Sequence, residues 1–368
     1  MAADALPNCS SGVASVRAMR VPSAPMAESN RRRFSALHAL GRTVLAEFGV
    51  QGAQLKLLRH EHNTTFRVDA VGDRFVLRVN RPGVHNAATI DSEMQWLAAL
   101  VRDTDAGVPI PIQTTDGRFV ATVEDPSSGA VRHGVLLRWQ AGRFVSAGLK
   151  PNHLRAVARL QATLHRHAAV WAPPAGFLRP RVDTLTNAGK VASIASGPTP
   201  GVRPSAADIA RAVALVGELM GAEAVAVAQD AIAEAVQTTS AVEAMEGPSG
   251  LIHADLHYEN FLCERGVARA IDFDDCGWGS RLYDLSITLW ELQDRNDYPA
   301  LRDAFLAEYT SHLSIAEDHE TLIAGLIQLR RVQILLWVLE SRHHPAFADE
   351  WRESSAEELD AIRRALAS

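Results

Sequence analysis

The sequence predicts an α+β protein of two lobes, in which a small antiparallel sheet with one key helix precedes a mainly helical part. Between residues 54 and 79, short stretches rich in β-branched and aromatic residues alternate with turn-forming residues. After Gly142, apolar residues recur at helical spacing over most of the chain. One strand–turn–strand pattern around Gly266 interrupts those helices and carries polar residues on both sides.

The elements of the first lobe follow from the alternation and spacing of apolar residues. We expect, in order, an opening helix over 33–47, strands over 54–58, 65–70 and 75–79, a helix over 88–101, and strands over 119–123 and 134–139. Residues 1–30 are rich in Ala, Ser and Pro and lack a continuous apolar run, so we expect a disordered tail rather than a secretory signal.

Helical patterns dominate the second lobe. We expect helices over 154–167, over 207–237 and from 280 to the C-terminus, and a loop or insertion over 187–204, where Gly, Ser and Pro are concentrated. The chain thus divides into a tail (1–30), a first lobe (31–139) and a second lobe (140–368).

Composition narrows the class of protein. A length of 368 residues is enough for two modest cores, and a net charge of −6 argues against general affinity for nucleic acids, which favour a basic surface. No apolar run approaches the length of a membrane span, so we expect no membrane association. Three cysteines without a C-x-x-C spacing are typical of a reducing cytoplasm. The oligomeric state is left open.

Residues 251–275, LIHADLHYENFLCERGVARAIDFDD, carry the chemistry, with His253, Asp255 and Asn260 in an H-x-D-x-x-x-x-N arrangement. Two apolar arms flank a turn, and a hairpin centred near Gly266 would place Asn260 opposite Asp272. An amide oxygen and a carboxylate at that separation can share one ion, and such oxygen ligands suit Mg²⁺. Asp255, on the loop before the hairpin, is then free to act as a base.

A different interpretation of the same segment is a transition-metal site. His253, Asp255 and His257 form H-x-D-x-H, a pattern compatible with a metallohydrolase. Such a site normally needs further ligands, and the only similar cluster in the sequence is His60-Glu61-His62.

The segment resembles the catalytic core of the protein-kinase-like small-molecule phosphotransferases, the aminoglycoside phosphotransferase and choline kinase superfamily with its homoserine-kinase-like members. Their signature is H-x-D-x-x-x-x-N followed by I-D-F/W. The resemblance implies a protein-kinase-like two-lobed fold, with Asp255 as the catalytic base towards a substrate hydroxyl. It also implies Asn260 and Asp272 as Mg²⁺ ligands and His253 as a support of the catalytic loop.

The resemblance extends to the nucleotide end of the chain. Phe75-Val76-Leu77-Arg78 occupies the place of V-A-I-K, which implies that Arg78, where Lys is commoner, pairs with nucleotide phosphates and with Glu93. Residues 59–64 replace the phosphate-covering loop, where Asn63 and Thr64 are candidate phosphate contacts unless the loop is an ordinary polar turn. Residues 137–142, including Trp139 and Gln140, resemble the hinge that offers backbone groups to adenine.

Two further residues match the same core. Asp284, in Tyr283-Asp284-Leu285-Ser286, resembles a structural aspartate that caps a helix or holds the catalytic loop. His165 resembles a histidine at the end of the first helix of the second lobe, and we expect it to be hydrogen-bonded rather than catalytic.

The resemblance implies an ATP- and Mg²⁺-dependent phosphotransferase that moves the γ-phosphoryl of ATP to a hydroxyl of a small metabolite, such as an aminoglycoside, choline or homoserine-like acceptor. An atypical Ser/Thr protein kinase of the same fold and a nucleotide-binding protein without turnover are the alternatives. Carboxylates near the cleft could attract a cationic acceptor, or be solvated or metal-bound; these are Asp274, Asp275 and Glu291.

Overall fold

A computed structural model describes residues 28–60, 63–82, 85–197, 204–246, 250–315, 318–344 and 348–367. The predicted tail lies outside the described residues up to position 27, and residue 28 already begins the first helix. The predicted α+β class is confirmed, because an antiparallel sheet precedes a mainly helical part.

The first lobe is a six-stranded antiparallel sheet with one helix before it and one inserted into it. Its elements are α1 (Glu28–Glu47), β1 (Gln54–His60), β2 (Thr64–Ala70), β3 (Asp73–Val79), α2 (Ala87–Asp103), β4 (Pro111–Ile112), β5 (Ala121–Glu124) and β6 (Val131–Arg138). The strand order is β1-β2-β3-β6-β4, and β5 also pairs with β6. This order places the end of β3 next to α2, at the edge of the second lobe.

The two helices of the first lobe belong to different cores. α1 packs against the sheet, where Leu40 and Val44 join Phe66 and Leu77 in one apolar cluster. α2 begins at a cap, since the Asn86 side chain accepts a hydrogen bond from the backbone of the first turn. Its buried face joins the apolar cluster of the second lobe instead. α2 therefore links the sheet to the catalytic elements.

The second lobe is built from helices around two short pairs of strands. Its elements are α3 (Pro151–Val170), α4 (Asn187–Ala192), α5 (Ala206–Met220), α6 (Ala222–Glu246), β7 (Gly250–Ile252), β8 (Phe261–Glu264), β9 (Val267–Ala270), β10 (Gly277–Gly279), α7 (Arg281–Trp290), α8 (Tyr298–Thr310), α9 (His319–Ser341) and α10 (Trp351–Leu366). β8 pairs with β9, and β7 pairs with β10, in both cases antiparallel. These two pairs carry the motif of residues 251–275.

The second lobe confirms one prediction and corrects another. The helical pattern over 207–237 forms two helices, α5 and α6, which are separated at Gly221, where φ of 92° favours glycine. The loop expected over 187–204 contains α4, whose first turn is capped by the Thr186 side chain, while residues 198–203 lie outside the described residues. The high Gly, Ser and Pro content of this stretch favoured a loop, so the short capped helix was not predicted from the sequence.

α9 is the element that comes nearest to a membrane span. Among the described residues, this helix alone is long and apolar enough to cross a bilayer. However, 72% of its most apolar window is buried inside the protein, as in the core helix of a globular domain.

Candidate active site

The hairpin of β8 and β9 forms as predicted, but its register differs by one residue. Phe261 pairs with Ala270 and Glu264 with Val267, so Asn260 lies opposite Ile271, whose backbone N–H donates to it at 2.9 Å. The turn consists of Arg265 and Gly266, both with positive φ, so the hairpin centre lies between them rather than on Gly266. Asp272 follows just beyond the end of the ladder.

Both carboxylate oxygens of Asp255 are held by other residues. The side-chain amide of Asn260 donates to Oδ2 at 2.7 Å and to the backbone oxygen of Asp255 at 2.8 Å. The guanidinium of Arg330, on α9, donates to Oδ1 at 2.5 Å. Burial opposes ionisation, but the adjacent His257 and Arg330 outweigh it and lower the pKa of Asp255. Asp255 is therefore an oriented carboxylate, ready to accept a proton.

His257 is charged rather than a metal ligand. Its Nδ1 lies 3.0 Å from Glu291 Oε2, and its Nε2 lies 3.6 Å from Asp255 Oδ2. Burial lowers the pKa of His257, but these two carboxylates reverse the effect and raise it to about 10. His253 is bonded to the Ile271 carbonyl, and no three His, Cys, Asp or Glu side chains converge on a metal site among the described residues, so the H-x-D-x-H segment gives no support to the metallohydrolase interpretation.

His253 lies behind the catalytic loop, fully buried. Its Nε2–H donates to the Ile271 carbonyl at 3.1 Å, and its Nδ1 accepts from the Asp255 backbone at 3.3 Å. Burial lowers the pKa of His253 and favours this neutral form. His253 is thus placed to support the loop rather than to act as a catalytic residue, since its buried ring cannot touch a substrate.

Asp284, at the start of α7, anchors the same loop. Its carboxylate is fully buried and accepts hydrogen bonds from the backbone of Ala254 at 2.7 Å and from His253 at 3.4 Å. His165 contributes a third contact at 2.9 Å and also lies 2.8 Å from the Tyr309 hydroxyl. Ala254 has φ of 66°, a rare conformation for alanine that these bonds maintain next to Asp255.

Replacing His165 by leucine should lower the free energy of unfolding by about 2–3 kcal/mol. Buried Asp284 would lose one charge-assisted hydrogen bond, and the Tyr309 hydroxyl would lose a hydrogen-bond partner. Urea unfolding measures this change. The control is His312→Gln on the surface of the second lobe, whose contact with Glu308 is partly exposed and should contribute little. Equal effects of both changes would contradict a special role for the buried network.

Asp272 lies close to other carboxylates at the floor of the cleft. Although 45% of its side-chain surface is open, desolvation by the surrounding protein, and then the Asp274 carboxylate, raise its pKa to about 7. The nearest cation is Arg78, with Nη1 3.9 Å from Asp272 and Nη2 3.6 Å from Asp274. Asp272 also has φ of 63°, so strained backbone presents a carboxylate whose contact with Arg78 is no closer than 3.9 Å.

The donors at this floor fit a divalent cation that keeps other ligands. Both hydrogen-bond partners of the Asn260 amide nitrogen are acceptors, which fixes the amide orientation and directs Oδ1 away from Asp255. Asn260 Oδ1 and the Asp272 carboxylate are hard oxygen ligands. Within the described ranges, no three His, Cys, Asp or Glu side chains form a metal cage by themselves. Two protein ligands plus phosphates and water suit Mg²⁺.

Arg78 and Glu93 form the expected pair between β3 and α2. Two parallel hydrogen bonds join them, at 2.9 Å and 2.5 Å, and both side chains are almost completely buried. Burial opposes the charge on Arg78, but Glu93 and then Asp274 and Asp272 raise its pKa. Arginine therefore makes the same helix contact that a lysine would, in a fixed bidentate geometry.

The predicted phosphate-covering loop, residues 59–64, is hydrogen-bonded across the cleft to residues 272–275, which contain the predicted metal ligand Asp272 and are called the metal loop. Asn63 donates to Asp274 Oδ2 at 2.7 Å and accepts from the Arg81 backbone at 3.1 Å, so its side chain is engaged within the protein. Thr64 is buried in β2, which corrects the idea that it contacts phosphate. The neighbouring residues 61 and 62 lie outside the described residues.

The hinge residues are partly engaged as well. The backbone N–H of Trp139 donates to Arg74 at 3.0 Å, and the Arg74 guanidinium lies 5.6 Å from the Trp139 ring. The Gln140 side chain donates to the Val108 carbonyl at 2.6 Å. The backbone N–H of Trp139 is thus already engaged and is not available to adenine, and Gln140 braces the hinge from the side.

The carboxylates considered as attractants of a cationic acceptor are each paired inside the protein. Asp275 is bonded to Lys190 of α4, and Glu291 to the imidazolium of His257. Asp274 accepts from Asn63 and lies near Arg78. This pairing removes the simple charge argument for a cationic acceptor.

Three cations of the site were not predicted from the sequence. Arg330 reaches Asp255, Lys190 reaches Asp275, and Arg179 donates to the backbone carbonyls of Asp274 and Cys276 at 2.6 Å and 2.5 Å. A third bond from Arg179, to the Thr89 carbonyl at 3.0 Å, fixes the metal loop against α2. One available signal was Arg330 itself, a charge inside an otherwise apolar helix pattern.

Comparison with known proteins agrees with this fold. A microcompartment-associated aminopropanol kinase has a similar structure, with a TM-score of 0.72 and 26% identity over 90% of this chain and 98% of that chain. An amicoumacin kinase in complex with AMP-PNP, Ca²⁺ and Ami shares the fold, with a TM-score of 0.68 and 18% identity over 92% of this chain and 96% of that chain.

At the sequence level, an uncharacterized protein of Deinococcus radiodurans is 27% identical over 293 residues, which cover 76% of each chain. The model of the phosphotransferase enzyme family (APH) matches residues 54–322, from β1 to the first turn of α9. The predicted resemblance is confirmed by this match, which spans most of the protein. The chain therefore belongs to the phosphotransferase enzyme family, a family of small-molecule kinases.

Proposed function

We propose that this enzyme transfers the γ-phosphoryl group of ATP to a hydroxyl of a small metabolite, with Asp255 as the base. The observation that carries the proposal is the geometry of Asp255, whose carboxylate is ionised, oriented by Asn260 and Arg330, and adjacent to the acidic floor. Residues 31–139 would bind the nucleotide, and residues 140–368 would supply the catalytic loop and the acceptor site.

The proposed step moves one proton and one phosphoryl group. The acceptor hydroxyl gives its proton to Asp255, its oxygen forms a bond to the γ-phosphorus, and the bond from that phosphorus to the β–γ bridging oxygen breaks, which releases ADP. Asn260 and Asp272 would hold Mg²⁺, which neutralises phosphate charge when bound. The amicoumacin kinase complex with AMP-PNP and Ca²⁺ supports a nucleotide and a divalent metal in this fold.

Arg78 and the hinge would position the nucleotide. The Arg78 fork is fixed by Glu93 and lies near both Asp272 and Asp274, so its charge would meet the phosphates beside the metal. Trp139 and Gln140 would frame adenine through the hinge carbonyls rather than through the Trp139 N–H. Asn63 would exchange its bond to Asp274 for a phosphate contact.

A small acceptor is favoured over a protein acceptor by the chain after the metal loop. β10 begins two residues after Asp275, and α7 begins at Arg281, which leaves little chain for docking a polypeptide substrate. The relatives are named as kinases of aminopropanol and amicoumacin, which supports a small acceptor here too. We also propose a cytoplasmic enzyme, because Cys263 and Cys276 are free thiols.

The test is ATP turnover with an acceptor panel of aminopropanol, ethanolamine, choline, homoserine and aminoglycosides, with the phosphorylated product identified by mass spectrometry. We expect transfer to one class of acceptor, loss of transfer when EDTA removes the metal, and recovery when Mg²⁺ is restored. Incubation with labelled ATP and a cell lysate separates the alternatives: a labelled protein band would favour a protein kinase. Metal-dependent ATP binding without transfer to any acceptor would favour a binding protein.

A further inference from the structure

Arg330 contacts the proposed base from outside the catalytic loop. It belongs to α9, and its Nη2 donates to Asp255 Oδ1 at 2.5 Å, while only 16% of its side-chain surface is exposed. Its guanidinium lies over the Trp290 ring, 5.4 Å from the centroid. This contact helps to hold the guanidinium beside Asp255.

The adjacent arginine has a different partner. Arg331 points to the scaffold, where it bonds Glu358 of α10 at 3.2 Å and Gln293 at 2.9 Å. Both arginines are on α9 and largely buried, yet only Arg330 meets a residue of the catalytic loop. The pair thus offers a site residue and a matched structural control one position apart.

Asp255 has a competing cation. His257 Nε2 lies 3.6 Å from Oδ2, and its imidazolium is already bonded to Glu291. Without Arg330, the polar contacts of the carboxylate described above, with Asn260 and His257, would both be on Oδ2, so the carboxylate could turn towards a closer pair with His257. Such a pair would turn the lone pairs of the base away from the side where Arg330 now holds them.

We propose that Arg330 is a positioning residue of the phosphoryl transfer, which holds the Asp255 carboxylate in the orientation that accepts the acceptor's proton. The inference rests on the proposed role of Asp255 as the base. A guanidinium stays protonated at all relevant pH values, so it holds the carboxylate without competing for the proton. Since each carboxylate oxygen accepts more than one hydrogen bond, the acceptor hydroxyl can still reach Asp255.

The test compares Arg330→Ala and Arg330→Lys with the wild type in steady-state kinetics. We expect Arg330→Ala to lower kcat by about 30-fold, part of the roughly 10²–10⁴-fold that a general base supplies. The KM for ATP should stay within about twofold, because the contacts of Arg330 with Asp255 and Trp290 involve none of the residues proposed to hold the nucleotide. Arg330→Lys should recover part of kcat, and guanidinium ion well below denaturing concentration should restore turnover of Arg330→Ala.

Further variants distinguish a failure of this inference from a failure of the proposed function. Arg331→Ala should destabilise the protein but leave kcat within about twofold of wild type. In an Asp255→Asn background, adding Arg330→Ala should cost little more, because Arg330 acts through Asp255. If Asp255→Asn retains full turnover, the proposed function fails. If Asp255→Asn is inactive while Arg330→Ala keeps full kcat, or guanidinium gives no rescue of a folded Arg330→Ala, only the inference is overturned. Should Arg330→Ala unfold, a wild-type kcat in Arg330→Gln would overturn it.

Discussion

Replacing Asp255 by asparagine is expected to lower kcat by about 10²–10⁴-fold, the usual contribution of a positioned general base. Asparagine has nearly the same shape, and its amide oxygen can still accept from Arg330 or Asn260. It cannot take a proton from the acceptor hydroxyl. The loss should therefore appear in the chemical step, and single-turnover transfer from ATP to the acceptor measures that step directly.

Binding measurements distinguish this loss from a general defect. The Kd for ATP in the presence of Mg²⁺ should change little, because the residues proposed to hold the nucleotide and metal are not altered. Asp297→Asn provides a matched control, since its carboxylate pairs with Arg295 at the partly exposed start of α8. Transfer at the wild-type rate in Asp255→Asn would exclude Asp255 as the base and leave the proposed mechanism without a proton acceptor.

The sequence predicted the catalytic loop because its chemistry is local. His253, Asp255 and Asn260 lie within eight positions, and the turn that returns the chain to Asp272 contains Gly266. The register was missed by one residue because Arg265, a non-glycine residue, also adopts positive φ. Such a conformation is uncommon outside glycine, asparagine and aspartate, so residue type alone favoured a turn centred on Gly266.

The cations of the site could not be predicted in the same way. Arg330 meets Asp255 across 75 positions, and Lys190 meets Asp275 across 85. These contacts depend on how α9 and α4 pack onto the catalytic hairpin, and a spacing pattern carries no information about that packing. The Arg78–Glu93 pair was accessible because β3 and α2 are consecutive elements joined by a short connection.

Replacing Arg78 by methionine should lower the free energy of unfolding by about 3–5 kcal/mol, the cost of leaving one partner of a buried ion pair uncompensated. Glu93 is only 1% exposed, so water cannot replace the two hydrogen bonds that it would lose. Asp274 and Asp272 would lose their shared cation at the same time. Urea unfolding measures the stability, and titration with ATP and Mg²⁺ should show much weaker nucleotide binding.

The double variant Arg78→Met/Glu93→Leu separates the two roles of the pair. Removing both charges eliminates the uncompensated Glu93, so much of the lost stability should return, as for other buried ion pairs replaced by apolar residues. Nucleotide binding should not return, because the cation beside the metal loop is still missing. Recovery of ATP binding together with stability would show that Arg78 serves only the fold.

Replacing Arg78 by lysine tests the contribution of the second parallel hydrogen bond. Lysine keeps the charge but loses that bond, so we expect an intermediate decrease of about 1–2 kcal/mol in the free energy of unfolding.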